Sequence, residues 1–314
     1  MGGSGGRDFF IGRKPEEVKL DLRKEEERTH DQAFDTQIAE RLGELLGDAN
    51  RRDTNAIGAA IDEIKNALAA DIEGTVDPIL GGSVRKHTYV DGISDIDTLV
   101  ILRDPKLRSL SPQQVLAYFE QKAHEELSGW EVSGGKLAVT LRKQGFEIQV
   151  LPAVREEDKT RIPSARGDRW SDINPQTFFR KLTDTNNKFG GKVVPVIKLA
   201  KIINSQQPEA LQLTGYHVES LAIEAFKTYS GPLNPKAMLE HFFDTSRSLV
   251  LAPIRDKTGQ SVHVDGYLGP ANSKSRKEVS AALDRIHRRM KNADRNKPQL
   301  VQGIKILRLR HHYN

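Results

Sequence analysis

The sequence predicts an α+β fold. A strand-rich stretch over residues 79–152 is preceded by helices and followed by an almost wholly helical remainder. Three observations carry this. Apolar residues recur at helical spacing before residue 72 and again beyond 175. They run together or alternate over 95–102, 136–141 and 146–151. Glycine, proline and asparagine punctuate the changes. The 314 residues allow about two domains at the usual ~150 each.

Residues 1–26 begin with glycines, continue into a charge-dense stretch and read as loosely structured. A helix follows from Thr29 to Leu46, with Phe34, Ile38, Leu42 and Leu45 at helical spacing, ended by Gly47-Asp48. A second runs from Thr54 to Ile72, with Ile57, Ile61, Ile64 and Leu68 on one face and Asp53 or Thr54 as its cap. Ile79-Leu80 leads into Gly81-Gly82-Ser83 and a short helical turn. Asp95–Leu102 then reads as a strand and Pro112–Leu127 as a helix. Lys136–Leu141 and Phe146–Leu151 form a hairpin around Gln144-Gly145, and Pro152 closes its second strand. Arg155–Arg169 is polar and reads as a surface loop. Helices are expected from Pro175, capped by Asn174, over Val193–Ile203 and over Gly215–Lys227. Two more are expected over Pro235–Phe243, capped by Asn234, and over Arg276–Met290. No internal repeat interrupts this order.

Composition narrows the function. With 37% hydrophobic residues the chain can build cores, which excludes wholesale disorder. No apolar run approaches the ~20 residues of a membrane helix, and Met1–Gly6 has no secretory pattern. No membrane association is expected. The absence of cysteine excludes disulfides, thiol nucleophiles and thiolate metal sites, and fits a reducing cytoplasm as the expected location. Net charge is +5, concentrated at the end: Ala281–Asn314 holds 9 Lys/Arg and 2 Asp/Glu. Such a segment could meet nucleotides, nucleic acid or an acidic partner; the plainer reading is the solvated face of a surface helix.

Three features carry chemistry. Gly82 lets backbone approach a phosphate, and Ser83 can donate to it at the start of a helical turn. Asp95 and Asp97 alternate with Ile96, so strand geometry sends both carboxylates to one face. Two carboxylates there repel unless a cation sits between them, and hard oxygen donors suit Mg²⁺ or Mn²⁺. A third strand, Glu147–Leu151, brings another acid. Taken singly, Gly-Gly-Ser is an ordinary turn and Asp-x-Asp an ordinary edge strand. It is their order and spacing that count.

Gly82-Ser83 followed after eleven residues by Asp95-Ile96-Asp97 resembles the signature of the polymerase-β nucleotidyltransferase superfamily. The longer string Gly81 to Asp97 is similar to the bacterial cGAS/DncV-like nucleotidyltransferases (CD-NTases), the cyclic-oligonucleotide synthases of CBASS antiphage systems. Ile173-Asn174-Pro175, the lysine-bearing helix Val194–Ile203 and Gly215–Leu221 extend the likeness over roughly residues 25–290.

The resemblance implies a polymerase-β-like core, a mixed sheet with helices, joined to a helical C-terminal lobe with the active site in the cleft between. The first long helix would brace both. On this reading 1–26 is a loosely ordered N-terminal segment, 27–165 the nucleotidyltransferase core with N-terminal bracing helices, and 166–314 the helical lobe.

It also implies roles. Gly82 and Ser83 would bind the donor triphosphate, and Asp95 and Asp97 two Mg²⁺ (or Mn²⁺). Lys201, or Lys198 one turn earlier, would contact phosphates; the plain alternative is a snorkelling side chain. Thr214 and Tyr216 are candidates to line the nucleotide site, Tyr216 reading equally as a core aromatic. The family's third carboxylate stands on the second hairpin strand, shortly before a proline. By distance to Pro152 that position is Gln149. Glu147, two residues earlier, is the candidate for the role, its alternative being an exposed hairpin acid.

The implied product is a cyclic di- or trinucleotide for antiphage signalling, made from ribonucleoside triphosphates with adenine the commonest base. HORMA/AAA+ or ubiquitin-like regulators would control synthesis, a downstream effector would respond, and nucleic acid would not be required. Two rivals stand beside it: a terminal RNA nucleotidyltransferase and a catalytically silent nucleotide-binding sensor.

Overall fold

A computed structural model describes residues 37–48, 54–69, 77–80, 88, 90, 96–102, 105–135, 137–143, 146–156, 159–164, 167–173, 175–255 and 264–295. The expected N-terminal segment 1–26 and the start of the first helix lie outside the described residues. Helix α1 covers 37–48 and carries through Gly47 and Asp48, where the sequence suggested a stop.

The first lobe is built on a seven-stranded sheet. Its elements are α2 (Thr54–Ala69), β1 (Asp77–Leu80), β2 (Ile96–Leu102), a single turn α3 (Pro105–Arg108) and α4 (Pro112–Glu126). They are followed by β3 (Glu131–Gly134), β4 (Val139–Lys143), β5 (Phe146–Glu156), β6 (Lys159–Pro163) and β7 (Trp170–Ile173). The strand order is β1-β2-β5-β4-β3, and β6 joins the far end of β5 and carries β7. β2 and β5 run parallel and every other neighbouring pair is antiparallel, so the sheet is mixed.

α4 starts where Ser111 and Gln114 form a reciprocal capping box ahead of Pro112. It lays Val115, Leu116, Phe119 and Ala123 against the sheet. Ile57, Ile61, Ile64 and Leu68 of α2 complete that layer, as their spacing predicted, over Val100, Leu102, Val139, Leu141, Ile148 and Val150.

The strands depart from the sequence reading in two regions: β3, at Glu131–Gly134, was not expected, and the chain beyond the hairpin stays in the sheet. β5 continues through Pro152 to Glu156, and Lys159–Pro163 returns as β6 in place of a surface loop. Pro152 is tolerated because β4 pairs with β5 only as far as Val150 and β6 only from Val154. Between those points β5 has one sheet neighbour, β2, so a missing N–H breaks no second ladder. The polar 155–169 stretch hid a strand because β6 is half-solvated and has no apolar run, and only its pairing with β5 and β7 makes it a strand.

The second lobe comprises α5 (Pro175–Lys188), α6 (Val193–Ser205), α7 (Gly215–Ala225), α8 (Pro235–Leu249) and α9 (Lys274–Arg295). Gly190 and Gly191 adopt φ of 58° and 81°, which lets the chain reverse from α5 into α6 within four residues. Their common core includes Leu182, Val196, Ile197, Leu221, Phe226, Phe242 and Val279. Ile38 and Leu42 of α1 enter this core, so the first helix packs on the last lobe. α9 buries Val279, Ala282, Leu283 and Ile286 while Arg285, Arg288 and Arg289 face water, which makes this part of the basic C-terminus a solvated helix face. Among the described residues no helix is long and apolar enough to cross a membrane.

Candidate functional site

The strand that carries the aspartate motif is β2. Thr98, Val100 and Leu102 alternate into the core on one face. Asp97 lies in β2, in register with Gln149 of β5, which in turn faces Thr140 of β4. Asp95, Gly82 and Ser83 lie outside the described residues. Glu147 occupies the next row of the hairpin, opposite Arg142. Its Oε2 accepts a hydrogen bond from Arg142 Nε at 2.7 Å, and Arg142 also reaches Glu131 at 3.3 Å. The hydrogen bond and charge of Glu147 raise the Arg142 pKa further. The position beside Asp97 is therefore an amide, and the acid on that strand is half-exposed and ion-paired. Among the described residues no three His, Asp or Glu side chains gather as a metal site.

α6 brings Lys198 and Lys201, both buried although charged. A buried ammonium demands a counter-charge. Lys201 Nζ donates to Glu219 Oε1 at 2.9 Å and to the Thr88 carbonyl at 3.0 Å. Glu219 is 1% exposed on α7, and Thr88 Oγ1 donates to the same carboxylate oxygen. Val90 packs on Ile202, the next residue of α6. The connection between β1 and β2 is thus fastened to α6 and α7 by described residues 88 and 90.

Thr214 caps α7: its Oγ1 accepts from the His217 N–H at 3.2 Å. Gly215 follows at the first helical position, and a Cβ there would come 3.4 Å from Lys201 Nζ. Tyr216 is half-buried, its ring centroid 4.5 Å from that of Phe178. The structure thus groups Lys201, Thr214 and Gly215 at one end of the helical lobe.

That end is braced from behind. The half-exposed Tyr267 accepts the Thr214 N–H at 3.2 Å, and its hydroxyl stands 2.9 Å from His217 Nδ1. The other ring nitrogen, Nε2, lies 3.7 Å from Asp265 Oδ2. Asp265 pairs with Arg276 at 2.6 Å, both fully buried, and accepts the Ile254 N–H. Arg276 also donates to the carbonyls of Gly269 and Val250. Burial drives the His217 pKa down to about 4, with the Arg276 charge adding to it against the pull of Asp265. Burial alone would raise Asp265, but the hydrogen bond from Arg276 and the neighbouring charges leave it below the ordinary carboxylate range.

Thr88, Glu219, His217, Asp265, Arg276 and Tyr267 were not singled out from sequence. One signal was available for Glu219: an acid inside Val218–Ile223, a helical run that is apolar apart from it and Ser220, needs a buried partner. Thr88 gave none, because its partners lie 113 and 131 residues away.

Residues 37–186 match the family model SMODS, the Second Messenger Oligonucleotide or Dinucleotide Synthetase domain. No curated protein matches the chain by sequence. Solved structures match in fold at low identity. CdnC of Escherichia coli MS115-1, in its complex with HORMA-deltaN, aligns with a TM-score of 0.60 and 14% identity over 78% of this chain and 90% of that one. The DncV cyclic AMP-GMP synthase of Vibrio cholerae, in complex with a linear intermediate, gives 0.58 and 13% over 85% of each. The CdnE cyclic dinucleotide synthase of Elizabethkingia meningoseptica, with GTP and Apcpp, gives 0.57 and 15% over 71% of this chain and 89% of that one. Residues 37–186 of this chain are therefore a SMODS domain, and the two lobes together have the polymerase-β-like fold of the CD-NTases.

Proposed function

We propose that the protein is a nucleotidyltransferase that joins ribonucleoside triphosphates, ATP among them, into a cyclic di- or trinucleotide second messenger for antiphage signalling. The observation that carries this reading is the strand β2 of a SMODS domain, which bears Asp97 and follows Gly82-Ser83 and Asp95 at the family spacing. Asp95, Asp97 and Glu147 would hold the divalent cations, a donor set of hard oxygens that fits Mg²⁺ or Mn²⁺. The exposed Arg142–Glu147 pair is no obstacle, since such pairs contribute about 0–1 kcal/mol. Bound metal would supply charge for an in-line attack of a ribose hydroxyl on the α-phosphate, with pyrophosphate leaving. The chain's own part is to bind and orient. Gly82 and Ser83 hold the triphosphate, Lys198 and Lys201 supply positive charge from α6, and Thr214 and Tyr216 border the nucleotide. A HORMA/AAA+ or ubiquitin-like regulator, acting in the cytoplasm, completes the proposal; CdnC is a structural relative solved in a HORMA complex.

A second reading, a silent nucleotide sensor, is favoured by one observation: the residue in register with Asp97 is Gln149, an amide. One experiment separates them. Purified protein with Mg²⁺ or Mn²⁺ and all four ribonucleotides should release pyrophosphate and yield a cyclic product by mass spectrometry. Nucleotide-dependent thermal stabilisation with no turnover under any activating condition would replace the first reading by the second.

A further inference from the structure

The residues that the proposed chemistry uses flank Thr88 on both sides. Ser83 stands five residues before it and Asp95 seven after, all within the connection from β1 to β2. Thr88 itself is fully buried and cannot touch a nucleotide. Its carbonyl accepts from Lys201, its hydroxyl donates to Glu219, and Val90 beside it packs on Ile202. Lys201 and Glu219 are 5% and 1% exposed in their side chains, so neither charge is solvated. Drawing the Lys201 ammonium away to a phosphate would break its 2.9 Å ion pair with the buried Glu219 carboxylate, which is unfavourable. The opposite arrangement is stable: the ammonium stays with its carboxylate and both clamp the middle of the connection. Fixing a point midway along a connection lowers the closure entropy of the chain on either side of it.

We propose that Lys201, Glu219 and Thr88 form a buried latch that holds the β1–β2 connection on the helical lobe. Lys201 is then a positioning residue for triphosphate binding and not itself a phosphate ligand. This rests on the nucleotidyltransferase reading for its consequence but not for its existence. It also shifts direct phosphate contact on α6 from Lys201 to Lys198.

The test uses the full chain and two conservative variants. Thr88→Val removes the hydroxyl at constant shape, and Thr88→Ser keeps it. Binding of a non-hydrolysable ATP analogue and of adenosine is measured with Mg²⁺, alongside kcat and KM for pyrophosphate release. Thr88→Val should weaken the triphosphate analogue tenfold or more and leave adenosine within twofold, and Thr88→Ser should restore the wild-type value within threefold. Lys201→Met combined with Thr88→Val should bind no worse than Lys201→Met alone, because both act through one cluster.

The proposal is overturned if Thr88→Val binds triphosphate as the wild type does while Lys201→Met loses it, since Lys201 then touches phosphate directly. It is equally overturned if adenosine and triphosphate weaken together. Should the wild type bind no nucleotide, the functional reading fails and the latch is judged on the unliganded protein. Amide exchange around residues 88 and 215–219 should be at least tenfold faster in Thr88→Val, and unchanged exchange overturns the latch.

Discussion

His217 makes the stability of the helical lobe depend on pH in a window where most carboxylates do not titrate. The imidazole is fully buried, and its pKa falls from 6.5 to about 4 on folding. Asp265, 3.7 Å away, fails to offset this because Arg276 already neutralises it at 2.6 Å. A depressed folded pKa means that the unfolded chain takes up the proton first. Stability from this source is therefore complete above pH 6.5 and is lost as pH falls toward 4. The pKa difference corresponds to about 3 kcal/mol in full, of which about 2 kcal/mol is already gone at pH 5. The perturbation is His217→Asn, which can still accept from the Tyr267 hydroxyl but has no proton to gain. The assay is urea unfolding at pH 7, 6 and 5, followed by circular dichroism at 222 nm, where the helical lobe dominates. The variant should be weaker than the wild type at pH 7 by about 1–3 kcal/mol, yet lose about 2 kcal/mol less than it between pH 7 and 5. Parallel losses in the two proteins would refute the assignment of a buried neutral imidazole.

Other outcomes follow from particular contacts. Asp97→Asn should lower pyrophosphate release at least a hundredfold with an unchanged melting temperature, and chelation of divalent ions by EDTA should abolish release in the wild type. Glu147→Gln should reduce kcat by a similar factor; a change within threefold in an active enzyme would hand the third position to Gln149, the residue in register with Asp97. Phe119→Ala should cost about 3–5 kcal/mol in denaturant unfolding, since Phe119 is fully buried between α4 and the sheet. Arg276→Met should destabilise by about 3–5 kcal/mol, because it leaves the Asp265 carboxylate buried without its cation.

Much of the architecture was written locally. The apolar faces of α2 and α4, the Ser111 and Asn234 starts of α4 and α8, and the β4–β5 hairpin all follow from contacts a few residues apart. Periodicity and capping chemistry act over one or two turns, so a sequence reader sees them. The Gly82-Ser83 and Asp95-Ile96-Asp97 spacing belongs to the same class, since the motif is contiguous.

What the sequence could not decide depended on partners distant along the chain. Strand β6 is polar, and only its pairing with β5 and β7 makes it a strand. Pro152 stops a strand by local rule, yet β5 runs through it because one flank has no neighbour at that point. In sequence, distance to Pro152 pointed to Gln149 and chemistry to Glu147; register put Gln149 beside Asp97 of β2 and Glu147 opposite Arg142 of β4. Lys201 was a candidate phosphate contact in the sequence, and only folding brought Thr88 and Glu219 to its ammonium. The sequence by itself determined most of the helices, the β4–β5 hairpin and the apolar faces, and it named the candidates for binding metal and phosphate. Only the tertiary structure decided which charges meet, because a buried charge is satisfied by whatever the fold brings within 3 Å of it, however far away it lies in the chain.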